Sequence, residues 1–419
     1  MVARGEVPAS VRIGALFPMF YPGGGRSEGG IRSFAAFLMG LREINDKTDG
    51  IADWLLPNTS VTFNYVDSKC DATFALRAAL ELAFREVAAV VGAWCSGPTI
   101  SIASLMSIAE VPQISYGAMS NALSDGLRFP YFARTVPAVD IEAAVISDLL
   151  QHLFGYTAIA IVNSNDAYGM ASAAAVVQSL HYDVKILISI TINNAGANYG
   201  EAYGRLIKSE ARVILLLTQA SSGNRFLAGA HERGIGGNGF LWLGNGGSTD
   251  SGIFLNEPMR QLGEKERLTV MRGFFGVVPS SSRSHHADSF LERLRSIPPS
   301  NGDGENCSLE RDSAGDTLIF AQDTTGNGVL TCGGTPAGHN ASSMDDVWAA
   351  FAYDAVYAVK PPTIRAISPR VSTHSPPVQP THIPATHRCH RLTRALDQQH
   401  TAQEAWWRSV CRSPTRCTI

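Results

Sequence analysis

Short apolar runs alternate along this chain with longer segments whose apolar positions recur at helical spacing. Seven such strand-then-helix units run in near-unbroken order from Val11 to Gly234. In the first series, strands are expected at Val11–Phe17, Val61–Val66, Ala88–Trp94 and Gln113–Tyr116. Helices are expected at about Ile31–Asn45, Ala72–Val87, Thr99–Ala109 and Ile141–Phe154. The pattern then restarts, with strands at Thr157–Val162, Val184–Ile192, Val213–Leu217 and Phe240–Leu243. Its helices are expected at Ala167–Leu180, Tyr199–Lys208 and Phe226–Arg233. Ala88–Trp94 is apolar throughout, as a strand buried on both faces must be. Alternation of this kind predicts parallel sheets with helices on both faces.

Phe132–Asp140, with Thr135-Val136-Pro137, separates the two series and reads as a crossover. The expected fold class is therefore α/β, with two Rossmann-like lobes facing one another. Lobe 1 is assigned to residues 11–137, lobe 2 to 138–270, and a return to lobe 1 to 271–360. From Gly263 the signal weakens. A helix is expected at Ala287–Ser296, a polar Gly-rich insertion at Pro298–Gly315, and an amphipathic helix at Asp346–Val359.

The character changes after Lys360. Eight of the 21 Pro and five of the 11 His lie between Pro361 and Ile419, with eight Arg and only Asp397 and Glu404 as acids. No period is sustained there. Residues 361–419 are either a disordered tail or the product of a misread frame or exon boundary.

Composition narrows the function classes. Of 419 residues, 45% are apolar and 17% charged, enough for a large core. The net charge of −3 provides no basic field for nucleic acid. No run of eighteen or more apolar residues spans a membrane, and Met1–Ser10 has no apolar signal region. The seven Cys form no C-x-x-C pair, which argues against zinc and redox motifs. Sequons at Asn58, Asn306 and Asn340 point, against the missing signal, to a secreted setting.

The loops after the strands hold no catalytic set, so no enzyme, cofactor or metal is expected. Gly23-Gly24-Gly25 fits neither dinucleotide nor P-loop spacing. His285-His286 with Asp288 reads as a helix start rather than a metal site. Asp323–Gly328 lacks the terminal acid of a calcium loop. The most telling stretches are Gly92-Ala93-Trp94-Cys95-Ser96-Gly97-Pro98-Thr99 and Val111-Pro112-Gln113-Ile114-Ser115-Tyr116-Gly117. Each is a buried strand running into a small polar turn, the place where open α/β sheets bind ligands.

These segments, with Leu55-Leu56-Pro57-Asn58, Asp67-Ser68-Lys69-Cys70-Asp71, Ala122-Leu123-Ser124-Asp125 and Arg128-Phe129-Pro130, carry a resemblance. From about Val11 to Lys360 the chain resembles the Venus-flytrap ligand-binding region of class C G-protein-coupled receptors, within the periplasmic-binding-protein type I group. Ser115–Pro137 looks most like metabotropic receptors for γ-aminobutyric acid. Asp166-Ala167-Tyr168-Gly169 looks more like metabotropic glutamate receptors.

The resemblance implies a ligand carboxylate held by Ser96 and nearby amides, including that of Gly97, at a helix N-terminus. Ser96 could equally be a plain N-cap for the helix from Thr99. After the fourth strand, where relatives carry a hydroxyl, this chain has Gly117, Ala118 and Met119, leaving backbone groups of Gly117 and Ala118 to contribute. Tyr168 matches a lobe 2 tyrosine over the ligand's amino group, or is simply packed at a helix start. Relatives place an acid after the strand near Leu243; here Gly244-Asn245-Gly246-Gly247 has none, and Asn245 is the available substitute. Thr218 and Gln219 face the same expected cleft. Relatives also imply a Cys70–Cys95 disulfide, worth roughly 3 kcal/mol in the chain-entropy model, against two buried thiols. Cys307–Cys332 is a second possible bridge.

The expected function is thus an extracellular domain sensing a small amino acid or similar metabolite. It would pair as a homo- or heterodimer through lobe 1, and reach a membrane only through a region outside this chain. A solute-binding protein of a transporter and the ectodomain of a receptor guanylyl cyclase are the alternatives.

Overall fold

The computed structural model describes residues 8–21, 27–84, 87–194, 199–249, 258–279, 285–296 and 343–358, all within one compact unit, Met1–Ser368. Strands β1 (Ser10–Phe17), β2 (Ser60–Asp67), β3 (Ala89–Gly92), β4 (Gln113–Ser115) and β5 (Phe132–Arg134) form a parallel sheet in the order β2-β1-β3-β4-β5. The second parallel sheet contains β6 (Ala158–Ser164), β7 (Lys185–Ile192), β8 (Val213–Leu217), β9 (Leu241–Gly244) and β10 (Phe274–Gly276). Its order is β10-β9-β8-β6-β7. Counted from β7, this is the winding of the first sheet repeated. In such an order the chain reverses direction across the sheet between its first and third strands. The two reversal points lie between β1 and β3 and between β6 and β8.

Helices α1 (Glu28–Asn45), α2 (Ala72–Phe84), α3 (Ser96–Ala109), α4 (Val139–Asp148), α5 (Ala167–Ser179), α6 (Gly200–Lys208) and α7 (Ala220–Glu232) connect the strands. Central strands β3 and β8 are buried at every position, which explains their unbroken apolar sequences. The edge strand β7 instead alternates exposed and covered residues over most of its length. In lobe 1, Phe17, Phe34, Phe37, Phe63 and Tyr116 pack in an aromatic core beneath α1. In lobe 2, Tyr203 and Phe226 pack tilted with ring centroids 4.8 Å apart, and Trp242 lies edge-on to Phe226.

Two late helices, His285–Ser296 and Ser343–Tyr357, pack on α1 and so belong with lobe 1. A buried carboxylate joins all three. Glu43 on α1 accepts from Arg293 Nε at 2.9 Å, from the Tyr357 hydroxyl at 2.9 Å, and from the Tyr353 hydroxyl. Thr135 Oγ1 donates to the Phe351 carbonyl at 2.9 Å, tying the segment between the lobes to the same late helix.

The fold differs from the sequence expectation at several points. The crossover Phe132–Asp140 contains β5, a three-residue edge strand too short to show a period. The α3 helix begins at Ser96, three residues early, and α7 begins at Ala220 because Ser222, Gly223 and Asn224 are buried. The segment expected as one helix over Ile141–Phe154 is α4 followed by a π turn, Leu149–Leu153. A further helix, Glu264–Met271, lies where no periodic signal is read. The second sheet extends beyond the boundary set at residue 270, since Phe274–Gly276 pairs with Trp242–Gly244. A helix does begin at His285, as read. The Asp323–Gly328 turn, Cys307–Cys332 and the 361–419 tail lie outside the described residues.

Removing the buried carboxylate tests the lobe 1 closure. Glu43→Ala leaves Arg293 and two phenols without their common acceptor, and should lower unfolding free energy by about 3 kcal/mol. Urea titration followed by circular dichroism measures it; a loss below ~1 kcal/mol would mean the three helices hold without this junction.

Candidate functional site

The loops following β1, β3, β6 and β8 meet in a cleft between the lobes. The cleft holds about 540 Å³ of empty space, part of it open to solvent. Lobe 1 contributes Tyr21 after β1, Trp94 and Ser96 after β3, and Gly117 and Met119 after β4. Lobe 2 contributes Tyr168 after β6, Gln219 and Ser221 after β8, and Gly247 after β9. The cleft therefore sits where the doubled winding directs it, at both reversal points.

Cys95 caps α3, so Ser96 is its first helical residue rather than a plain N-cap. Ser96 is 2% exposed, and its Oγ accepts from the Ser120 N–H at 3.2 Å. Acting as acceptor there, the hydroxyl retains a proton to donate, and it stands in a first turn whose N–H groups are those of Ser96 and Gly97, since Pro98 has none. The Cys70–Cys95 disulfide, with Cα atoms 5.5 Å apart, ties this helix start to the loop after β2, and both cysteines line the cleft.

Other expected groups are placed differently. Gly97 lies in the same first turn, with open space at its Cα, but is not among the lining residues. The Ser115 hydroxyl accepts from the Gly117 N–H at 3.3 Å and the Ala118 N–H at 3.0 Å. Both amides are thus engaged within lobe 1, and Ala118 is fully buried. Asn245 points inward: its Nδ2 donates to Ser172 Oγ at 3.2 Å, and its Oδ1 accepts from the Ser248 N–H at 3.1 Å. It shapes the Gly246–Gly247 loop from behind. Thr218 is fully buried and does not line the cleft, whereas Gln219 does.

Tyr168 is set by its neighbours on both sides. Asp166 caps α5, its Oδ1 accepting from the Tyr168 and Gly169 N–H groups at 2.9 and 3.1 Å. The Tyr168 hydroxyl accepts from the Gly247 N–H at 3.0 Å and donates to Glu142 Oε2 at 3.4 Å. Glu142 Oε1 accepts from the Gly246 N–H at 2.7 Å. One carboxyl from α4 thereby fixes the tyrosine and the glycine loop together.

Sequence reasoning missed Glu142, although a signal exists. It falls on the face of α4 shared by Val139, Ala143 and Ile146, where an acid is out of place. Burial raises its pKa from the ordinary 4.5 to about 7, while the Gly246 amide and the Tyr168 hydroxyl pull it down. Burial, with Glu142 beside it, holds the Tyr168 phenol well above its usual range.

This shift has a defined sign. A carboxyl with a raised folded-state pKa contributes stability that is fully present below about 4.5 and lost as pH rises through about 7. Between pH 5 and 8, the wild type should therefore lose on the order of 3 kcal/mol relative to Glu142→Gln. Parallel stability–pH curves for the two proteins, from denaturant titrations, would show that Glu142 ionises normally.

Among the described residues, no group of His, Cys, Asp and Glu has metal-holding geometry, and no helix is long and apolar enough to cross a membrane. Comparison with known proteins gives consistent relatives. Residues 32–359 match the family described as the receptor family ligand binding region. Metabotropic glutamate receptor 4 of Mus musculus is 24% identical over 321 residues, covering 68% of this chain and 33% of the relative. The same receptor of Macaca fascicularis is 24% identical over 57% of this chain and 29% of its own length. Glutamate receptor 3.1 of Oryza sativa subsp. japonica is 25% identical over 56% of this chain and 24% of the relative. The matched part of this chain thus spans a third or less of each of these relatives. With two parallel lobes, a cleft at both reversal points and a family match across most of its length, the chain belongs to the receptor family ligand-binding region, as a class C receptor-like Venus-flytrap domain.

Proposed function

We propose that this chain is the sensing domain of a receptor, binds a small amino acid or similar metabolite between its lobes, and performs no catalysis of its own. The observation that carries this reading is the meeting of Ser96 and Tyr168, from opposite lobes, in one cleft. The Ser96 hydroxyl and N–H at the start of α3 suit a carboxylate, with the helix dipole adding to the attraction. The face of Tyr168 suits an ammonium group. Its hydroxyl is already committed to Glu142 and Gly247, so only the ring is offered.

In this reading the domain stands on the extracellular face of a membrane, within a longer protein that carries the membrane-spanning part. The ligand must bind the closed lobes better than the open ones, or nothing is transmitted. Either glutamate or γ-aminobutyric acid fits the carboxylate and ammonium contacts. The domain pairs with a second copy or a related chain through lobe 1. Leu76 and Leu80, one turn apart on α2, are 42% and 45% exposed and support that surface.

Ser96→Ala should weaken binding of any amino-acid ligand roughly 10- to 100-fold, the value of a hydrogen bond to a charged group. Calorimetric titration measures this, and an unchanged affinity would remove Ser96 from the site. A charge at the lobe 1 face, Leu80→Asp, should convert dimer to monomer in sedimentation velocity. If the wild type is already monomeric at tens of micromolar, lobe 1 pairing is not intrinsic to this domain.

A further inference from the structure

Each wall of the cleft carries an aromatic ring laid against glycine. On the lobe 1 side, a Cβ at Gly117 would overlap Trp94 Cδ1, and one at Gly29 would overlap Trp94 Cη2. The indole is thus pinned at its pyrrole end by the loop after β4 and at its benzene end by the start of α1. On the lobe 2 side, a Cβ at Gly247 would come within 2.6 Å of Tyr168 Cε1. The phenol end of that ring is held by the Gly247 amide and Glu142. Both rings are fixed before any ligand arrives, so little side-chain entropy is lost on contact.

The remaining wall is also apolar and polarisable. Met119 lines the cleft and shares one packed cluster with Tyr168, against which Trp94 also lies. Tyr21 adds a third ring. Among the described residues, the polar side chains that line the cleft, those of Ser96, Gln219 and Ser221, are uncharged. A thioether and flat rings complement another flat, neutral ring. A side-chain carboxylate placed against them would lose water without gaining an ion partner from these walls.

We infer that the ligand is an amino acid with a flat, uncharged aromatic side group, received between Trp94 of lobe 1 and Tyr168 of lobe 2. The inference rests on the reading of the cleft as an amino-acid site. Ser96 and the start of α3 take the carboxylate, and the side group lies along the indole. Gly117 is then a specificity residue through Trp94: any side chain there displaces the ring.

The test is calorimetric titration of the chain with L-phenylalanine, L-tyrosine, L-tryptophan, L-alanine, L-glutamate and γ-aminobutyric acid. At least one aromatic amino acid should bind about tenfold or more tighter than the other three. Trp94→Ala should bring the best aromatic ligand down to the level of L-alanine, and Trp94→Phe should restore most of the difference. Gly117→Ala should act like Trp94→Ala, with melting curves confirming that the variants fold. If L-glutamate, γ-aminobutyric acid or L-alanine binds as tightly as the aromatic ligands, the inference is overturned. If that binding is still weakened by Ser96→Ala, the amino-acid reading survives without it. If none of the six binds at millimolar concentration, both readings fall.

Discussion

Neighbouring parallel strands need a long crossover connection, most often a helix, and those helices cover both faces of the sheet. What the covering leaves open is the edge where strands end and helices begin. Amides of helix starts without an in-helix acceptor collect there. Here the same winding is used twice, so the two reversal points supply one cleft from two directions. Every placement in the site follows from that repetition. Ser96 is where it is because β3 ends at Gly92, and Tyr168 because β6 ends at Ser164.

The loop ends need support, and the support comes from buried polar groups rather than from the ligand-facing residues themselves. Ser115 holds the turn after β4 by accepting from two successive amides while donating to the Ala93 carbonyl at 2.7 Å. Asn245 does the corresponding work after β9. Glu142 goes further, since it joins α4, α5 and the Gly246 loop through one carboxyl. A buried acid of this kind costs desolvation, which raises its pKa against the pull of its two hydrogen bonds. Its return is geometric: Tyr168 cannot turn without breaking a bond to each partner.

Much of this fold is legible in the sequence because buried parallel strands need continuous apolar runs. Val213–Leu217 is read and observed with the same bounds. The Phe132–Arg134 strand is not legible, because three residues, half-covered at the ends and exposed at Ala133, are too few to show a period or an apolar run. The start of α7 is hidden for a different reason. Ala220-Ser221-Ser222-Gly223-Asn224 has loop composition, and only its burial against lobe 2 makes it helical. At the site, Ser96 and Tyr168 are recoverable because their position relative to a strand end is visible. The commitment of the Gly117 and Ala118 amides to Ser115 is not, since a hydrogen bond inside a turn leaves no periodic trace.

The apolar walls bear on how the lobes hold together as well as on the recognition proposed above. Met119, Val136 and Val139 share one buried cluster with Tyr168, Ile161 and Leu215, so the packing continues from the loop after β4 into lobe 2. Separating the lobes would expose part of that cluster to water, a cost proportional to the apolar area uncovered. Any motion that separates the lobes therefore carries this cost, whether or not a ligand is bound. On the proposed reading, a ligand that adds another ring to the same apolar wall adds to that cost. A ligand with a charged side group would have to draw water into the same surface. Recognition and lobe separation would then be coupled through a single physical quantity, the apolar area that Trp94, Met119 and Tyr168 keep from solvent.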